Sequence, residues 1–225
     1  MPSILLVFSS VSTTLTGAPT GWYLPEAAHP YYVLSPHASI DFASPAGPNP
    51  PVDPESVKLY ESDAECVKFL DDETVQTKLS TCKKLADVIA KDYDLIFYVG
   101  GQAPVIDLAV DPINIKLATE FYRSGKITSA VCHGPAALVG VTDAQGKSIF
   151  SGRSATGFSN AEEIIQDKVK DVPFLLEDRI KSLGGKYEAA EKPWAVKVVV
   201  DGNLYTGQNP ASARALAETV LKAMK

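Results

Sequence analysis

Ile127-Thr-Ser-Ala-Val131, running into Cys132-His133-Gly134-Pro135-Ala136-Ala137-Leu138, is the stretch on which the reading of the fold turns. The first five residues, largely apolar and β-branched, read as a buried strand, and the next seven as a sharp turn and the start of a helix. Cys132 occupies the turn itself. In such a nucleophile elbow the side chain is lifted above the carboxyl edge of a sheet, with the free N–H groups of the new helix beside it. Helix N-termini favour a thiolate, so the pattern predicts a thiol of lowered pKa. Free cysteines are more often inert core fillers, and Cys66 and Cys82, which lack this context, are read that way. For Cys132, three neighbouring features point to a nucleophile: the strand end, His133 as a ready acid or base, and Gly134, which admits close backbone approach.

Outward from this turn, similar short apolar runs occur at Ile4–Phe8, Leu95–Val99 and Ala195–Val200, each ended by a Gly, Ser or Asp position. Continuous apolar runs, as opposed to alternating ones, imply a parallel sheet covered on both faces. Between them lie helical patterns. Over Pro112–Ser124, Ile113, Leu117 and Phe121 recur on one face and Gly125 stops the helix. At the end of the chain Asn209 reads as an N-cap, Pro210 as the first helical residue, and Leu216, Val220 and Met224 as one buried face. The five prolines of Ala43–Pro54 mark a surface loop inside one domain spanning 1–225, because strand and helix patterns resume beyond it.

Composition narrows the function. With 45% hydrophobic and 21% charged residues the chain is an ordinary globular α/β protein. Its net charge of −6, with basic residues dispersed, argues against nucleic-acid binding. The apolar start Ile4–Phe8 is too short for a signal peptide or a membrane span. Three cysteines without a C-x-x-C pair argue against a disulfide framework. Together these features predict a cytosolic protein, with or without entry to the nucleus, with reduced thiols and no membrane partner.

A second loop at a strand end, Val99-Gly100-Gly101-Gln102-Ala103-Pro104, leaves its strand through paired glycines that expose backbone N–H groups. The N–H groups of Gly101 and His133 are candidates for an oxyanion hole, with Gln102 beside them. Asn160-Ala-Glu162-Glu163 opens a helix, where acids commonly serve as caps, yet a carboxylate is also what a catalytic histidine needs to set its tautomer. Glu26, in Gly21-Trp-Tyr-Leu-Pro-Glu26, is placed to reach the carboxyl edge of the sheet.

Five segments taken together are more specific: GWYLPEAAHPYY (21–32), VCHGPAAL (131–138), TGFSNAEE (156–163), PFLLED (173–178) and DGNLYTGQNP (201–210). In this order, from near the start to near the end, they resemble the DJ-1/PfpI superfamily, in its heat-shock-protein-31-like branch of glutathione-independent glyoxalases (glyoxalase III). The resemblance implies a flavodoxin-like three-layer sandwich with a mostly parallel sheet, a homodimer, stress-related roles, and cofactor-free conversion of methylglyoxal to D-lactate. It assigns the nucleophile to Cys132, its partner to His133, the orienting carboxylate to Glu163, the acid near the thiol to Glu26, and the oxyanion N–H groups to Gly101 and His133. The chain departs from the branch in one place. After the glycine pair a histidine and another glycine usually follow, whereas here Gly101 is followed by Gln102-Ala103-Pro104.

The expected chemistry is addition of the Cys132 thiolate to a small carbonyl compound, with His133 or Glu26 moving protons and no metal or nucleotide required. Two other readings use the same cysteine: hydration or hydrolysis of another small electrophile such as an isocyanide, motivated by Gln102, and a redox-sensing stress chaperone in which Cys132 is oxidised to a sulfinate. A protease, or a metal site from Cys132, His133 and Glu163, fits less well, since adjacent Cys and His cannot easily aim at one ion.

Overall fold

A computed structural model describes residues 1–224. It contains nine strands: β1 (Ser3–Val7), β2 (Ser39–Ser44), β3 (Lys83–Lys84), β4 (Leu95–Tyr98), β5 (Ile127–Val131), β6 (Ser154–Ala155), β7 (Lys186–Tyr187), β8 (Val198–Asp201) and β9 (Leu204–Gly207). Seven form one sheet in the order β3-β2-β1-β4-β5-β9-β8, parallel throughout except for the β8–β9 pair. The short β6 and β7 pair separately.

Among the described residues nine α-helices connect them: α1 (Leu24–Leu34), α2 (Pro54–Leu59), α3 (Ala64–Asp71), α4 (Glu73–Ser80), α5 (Ala103–Ile106), α6 (Pro112–Arg123), α7 (Asn160–Ile165), α8 (Leu176–Ser182) and α9 (Ala213–Ala223). The strand pleat divides the core in two. Ile4, Leu6 and Phe8 pack with Leu95, Phe97 and Val99 against α1, α3, α4 and α9, while Leu5, Val7, Ile96 and Tyr98 face α5, α6 and α8. Helices on both faces of a parallel sheet make the flavodoxin-like α/β sandwich, and both faces of its central strands are apolar because both are covered. Among the described residues no helix is long and apolar enough to cross a membrane.

The structure amends the sequence reading in several places. The run 195–200 is not a central parallel strand: β8 begins at Val198 and forms the antiparallel edge, where Val200 is 43% exposed. Its partner β9, beside β5, and the strand β2 are missed by periodicity, since Ser39–Ser44 carries Asp41 and two serines among its apolar residues. Asn209 does cap, its side chain accepting from the Ser212 N–H, but it caps a 3₁₀ turn, Pro210–Ser212, and α9 follows. Pro54 closes the proline-rich loop by opening α2 behind the Asp53 cap.

Candidate active site

All the candidate groups converge at the carboxyl ends of β4 and β5, where a parallel sheet leaves a crevice for chemistry. Cys132 leaves β5 with φ +60°, a left-handed conformation rare for a side chain with a Cβ. Its peptide is held on both sides: its N–H donates to Gly207 O at 2.9 Å, and its carbonyl accepts from the Phe158 N–H at 2.8 Å. Gly134 follows because a Cβ there would lie 2.7 Å from Tyr98 O. The helix expected after the turn is a 3₁₀ stretch, Gly134–Leu138, so few aligned peptides stand behind the sulfur.

Cys132, His133 and Glu163 form a line. Cys132 Sγ lies 3.5 Å from His133 Nδ1, and His133 Nε2 lies 2.7 Å from Glu163 Oε2. All three are at least 97% buried, and Phe158 stacks on the His133 ring at 4.3 Å between centroids. The two adjacent acids of α7 divide the work. Ser159, not Asn160, is the N-cap, and Glu162 completes its capping box, which frees Glu163 for His133. Burial opposes ionisation of Glu163, but the facing His133 and the Gln102 amide outweigh it and hold its carboxyl below the usual range. Gln102 Nε2 donates to Glu163 Oε1 at 2.9 Å, so the residue that departs from the branch pattern braces the carboxylate as well as lining the pocket. The two ring nitrogens of His133 point to different partners, so Cys132, His133 and Glu163 cannot converge on one ion.

Glu26 lies in the first turn of α1, fully buried, and neither carboxyl oxygen has a hydrogen-bond partner of ordinary geometry among the described residues. Burial pushes its pKa well up, against a smaller opposing pull from the Cys132 thiol and the Gly100 peptide. The thiol is also pushed up, by burial first and then by Glu26, while the N–H groups of Gly101 and His133 favour its anion. This corrects the expectation of a lowered thiol pKa: desolvation and a neighbouring carboxyl overcome a short helical turn. Two acids side by side in a dry site cannot both ionise, so the pair retains a proton at neutral pH.

A carboxyl whose folded pKa is raised contributes stability that is complete below its ordinary value of 4.5 and is lost as pH rises through the folded value. Glu26→Gln removes that loss. Thermal melts are therefore expected to show the variant above the wild-type protein at pH 8 and equal to it at pH 4; a lower midpoint at pH 8 would mean that the carboxylate is stabilised by partners.

Gly101, at φ +95°, turns the loop so closely against the segment leading into α1 that a Cβ would lie 2.3 Å from Gly21 O. The space over the sulfur is also bounded by Tyr23, Asp53 and Lys168, for which the sequence reading has no role. Phe158 and Tyr23 sit within the quoted segments; Asp53, the cap of α2, and Lys168 lie outside them. Elsewhere, Cys66 is a core residue as expected, but His29 Nε2 lies 3.1 Å from Asp63 Oδ2 and 4.0 Å from Cys66 Sγ, and these three could hold a metal ion. All three cysteines are free.

The family model for the DJ-1/PfpI family matches residues 29–223. The chain belongs to the DJ-1/PfpI family. Over 99% of its length it is 32% identical to a Saccharomyces cerevisiae protein, glutathione-independent glyoxalase HSP31, covering 98% of that protein. Among solved structures, Francisella tularensis Rapid Encystment Protein 24 kDa superposes with a TM-score of 0.94 at 33% identity over all of both chains. Glyoxalase III from Candida albicans superposes with a TM-score of 0.88 at 30% identity, over 99% of this chain and 97% of that one. The likeness to these relatives extends over nearly the whole chain, and the family match spans the elbow.

Proposed function

We propose that this protein is a glutathione-independent glyoxalase that converts methylglyoxal to D-lactate. The observation that carries the reading is the buried line Cys132–His133–Glu163 with the unpartnered carboxyl of Glu26 beside the thiol. Full-length similarity to proteins named as glyoxalases of this type supports it.

In this reaction the Cys132 sulfur adds to the aldehyde carbon, the thiol proton passing to His133 or Glu26, and the new alkoxide is met by the N–H groups of Gly101 and His133. A base then removes the hydrogen of that carbon to give an enediol. Reprotonation at the neighbouring carbon yields a lactoyl thioester, and water hydrolyses it, returning the thiol. The aldehyde carbon is oxidised and the ketone carbon reduced within one molecule, so no external electron acceptor is needed. Glu26, whose affinity for a proton is raised by burial, suits the proton shuttle, while Glu163 and Gln102 fix the His133 ring.

The resemblance also supports a homodimer, while length and patterning support one domain over 1–225 and the sequence reading a cytosolic place of action with or without entry to the nucleus. A second reading, attack on a different small electrophile, draws on Gln102 lining the pocket where the branch usually has a histidine.

The test is stereospecific detection of D-lactate from methylglyoxal with glutathione omitted. Formation well above the buffer rate is expected. A rate equal to buffer would move the assignment to another electrophile, to be sought among isocyanides and related compounds.

A further inference from the structure

The space directly over the Cys132 sulfur is about 20 Å³, room for roughly one water-sized group. It is not closed. Tyr23, Gln166 and Pro210 bound both this space and an adjoining open groove of about 380 Å³, whose remaining walls are Leu59, Tyr60, Trp194 and Ala211. None of these groove residues carries a charge, and burial pushes the Tyr60 hydroxyl up to about 12, so it stays neutral. Leu59 and Trp194 are 61% and 38% exposed, so both present apolar surface to the groove.

Trp194 is placed there by the fold. Its backbone has φ +67°, a conformation seldom adopted by a bulky residue. Its N–H donates to Glu162 Oε1 at 2.9 Å, and the fully buried Glu162 carboxylate also accepts from Asn209 Nδ2 at 2.8 Å and Gln208 Nε2 at 3.0 Å. Glu162, the capping-box acid of α7, thus pins the Trp194 loop and the Asn209 turn to the helix that carries Glu163. Trp194 meets Phe158 edge-on at 5.6 Å, and Phe158 lies on His133, so aromatic rings run from the groove to the site.

We propose that the groove is a second subsite, taking the apolar, uncharged substituent of a 2-oxoaldehyde while its reacting carbonyl sits over Cys132. This rests on the glyoxalase reading. The inner space holds little beyond the reacting carbonyl, so any larger substituent must lie outward. The groove offers it aromatic and aliphatic walls and no cation for a phosphate or carboxylate. Aryl and branched alkyl 2-oxoaldehydes are the fitting class. With phenylglyoxal the same internal oxidation and reduction, plus one water, gives mandelate.

Phenylglyoxal and methylglyoxal turnover should be compared in the wild-type protein, Trp194→Ala and, as a solvent-facing change that spares the core, Leu59→Asp. The wild-type KM is expected to be about tenfold lower for phenylglyoxal, and each variant to lose about tenfold of that preference, chiefly through KM. Equal KM values for the two aldehydes, or variants that raise both KM values in parallel, would overturn the subsite. If neither aldehyde turns over, the glyoxalase reading has failed, and calorimetry with acetophenone decides the subsite separately. Binding weakened by Trp194→Ala upholds it; absent or unchanged binding overturns it.

Discussion

Cys132→Ala is expected to abolish D-lactate formation, a loss of about 10³-fold or more, because no other group can form the thioester on which the hydrogen shift depends. Cys66 and Cys82 are buried in the apolar layer and offer no substitute thiol at the sheet edge. The variant should fold. The side chain is small, and the two peptide hydrogen bonds that hold the elbow, to Gly207 and from Phe158, do not involve it. Circular dichroism and thermal melting check the fold, and a chiral lactate assay checks the activity. Cys132→Ser is expected to behave nearly as poorly, since a hydroxyl in this dry site is harder to ionise than the thiol. D-lactate formation retained in the folded Cys132→Ala protein would remove Cys132 from the chemistry and with it the proposed mechanism.

Gly100→Ala should be almost as damaging, by a different route. An added Cβ would stand 2.2 Å from Glu26 Oε2, 2.5 Å from Val131 O and 2.8 Å from Cys132 Cβ. Glu26 could swing, but Val131 belongs to β5, whose backbone is tied to β9, so the loop itself must move. Overpacking of this kind costs about 1–3 kcal/mol. In a chain of this size that lowers the melting midpoint by about 2–4 °C per kcal/mol. The larger effect is on turnover: displacing the Gly101 N–H or Glu26 by about 1 Å from the sulfur costs on the order of 100-fold. Melting and lactate assays on the same preparation separate the two effects. Wild-type activity in Gly100→Ala would show that the loop is looser than its contacts imply and would weaken the assignment of Gly101 as an oxyanion donor.

These two positions show how unevenly the site was legible. Cys132 could be singled out because its signal is local: an apolar strand, then Cys-His-Gly-Pro, with every residue of the motif adjacent in sequence. Gly100 and Gly101 are visible as a turn by the same logic, yet their contacts with Glu26, Val131 and Gly21 are set by packing between distant segments. Local pattern alone does not separate Glu162 from Glu163, since both suit a helix start; the resemblance singles out Glu163, and the rotation of α7 turns Glu162 toward Ser159 and Glu163 toward His133. Likewise a helix dipole argues for an acidic thiol, and burial beside Glu26 reverses it.

By itself, then, the sequence determines the α/β class, the central strands β1, β4 and β5 and the cysteine at the end of β5, because these depend on hydrophobic runs and turn residues within a few positions of one another. Strand order, the antiparallel β8–β9 edge, the raised pKa of Cys132 and the groove walled by Leu59, Tyr60 and Trp194 were decided only by the tertiary structure. Each of these depends on which distant segments exclude water from one another, and no local pattern of residues carries that information.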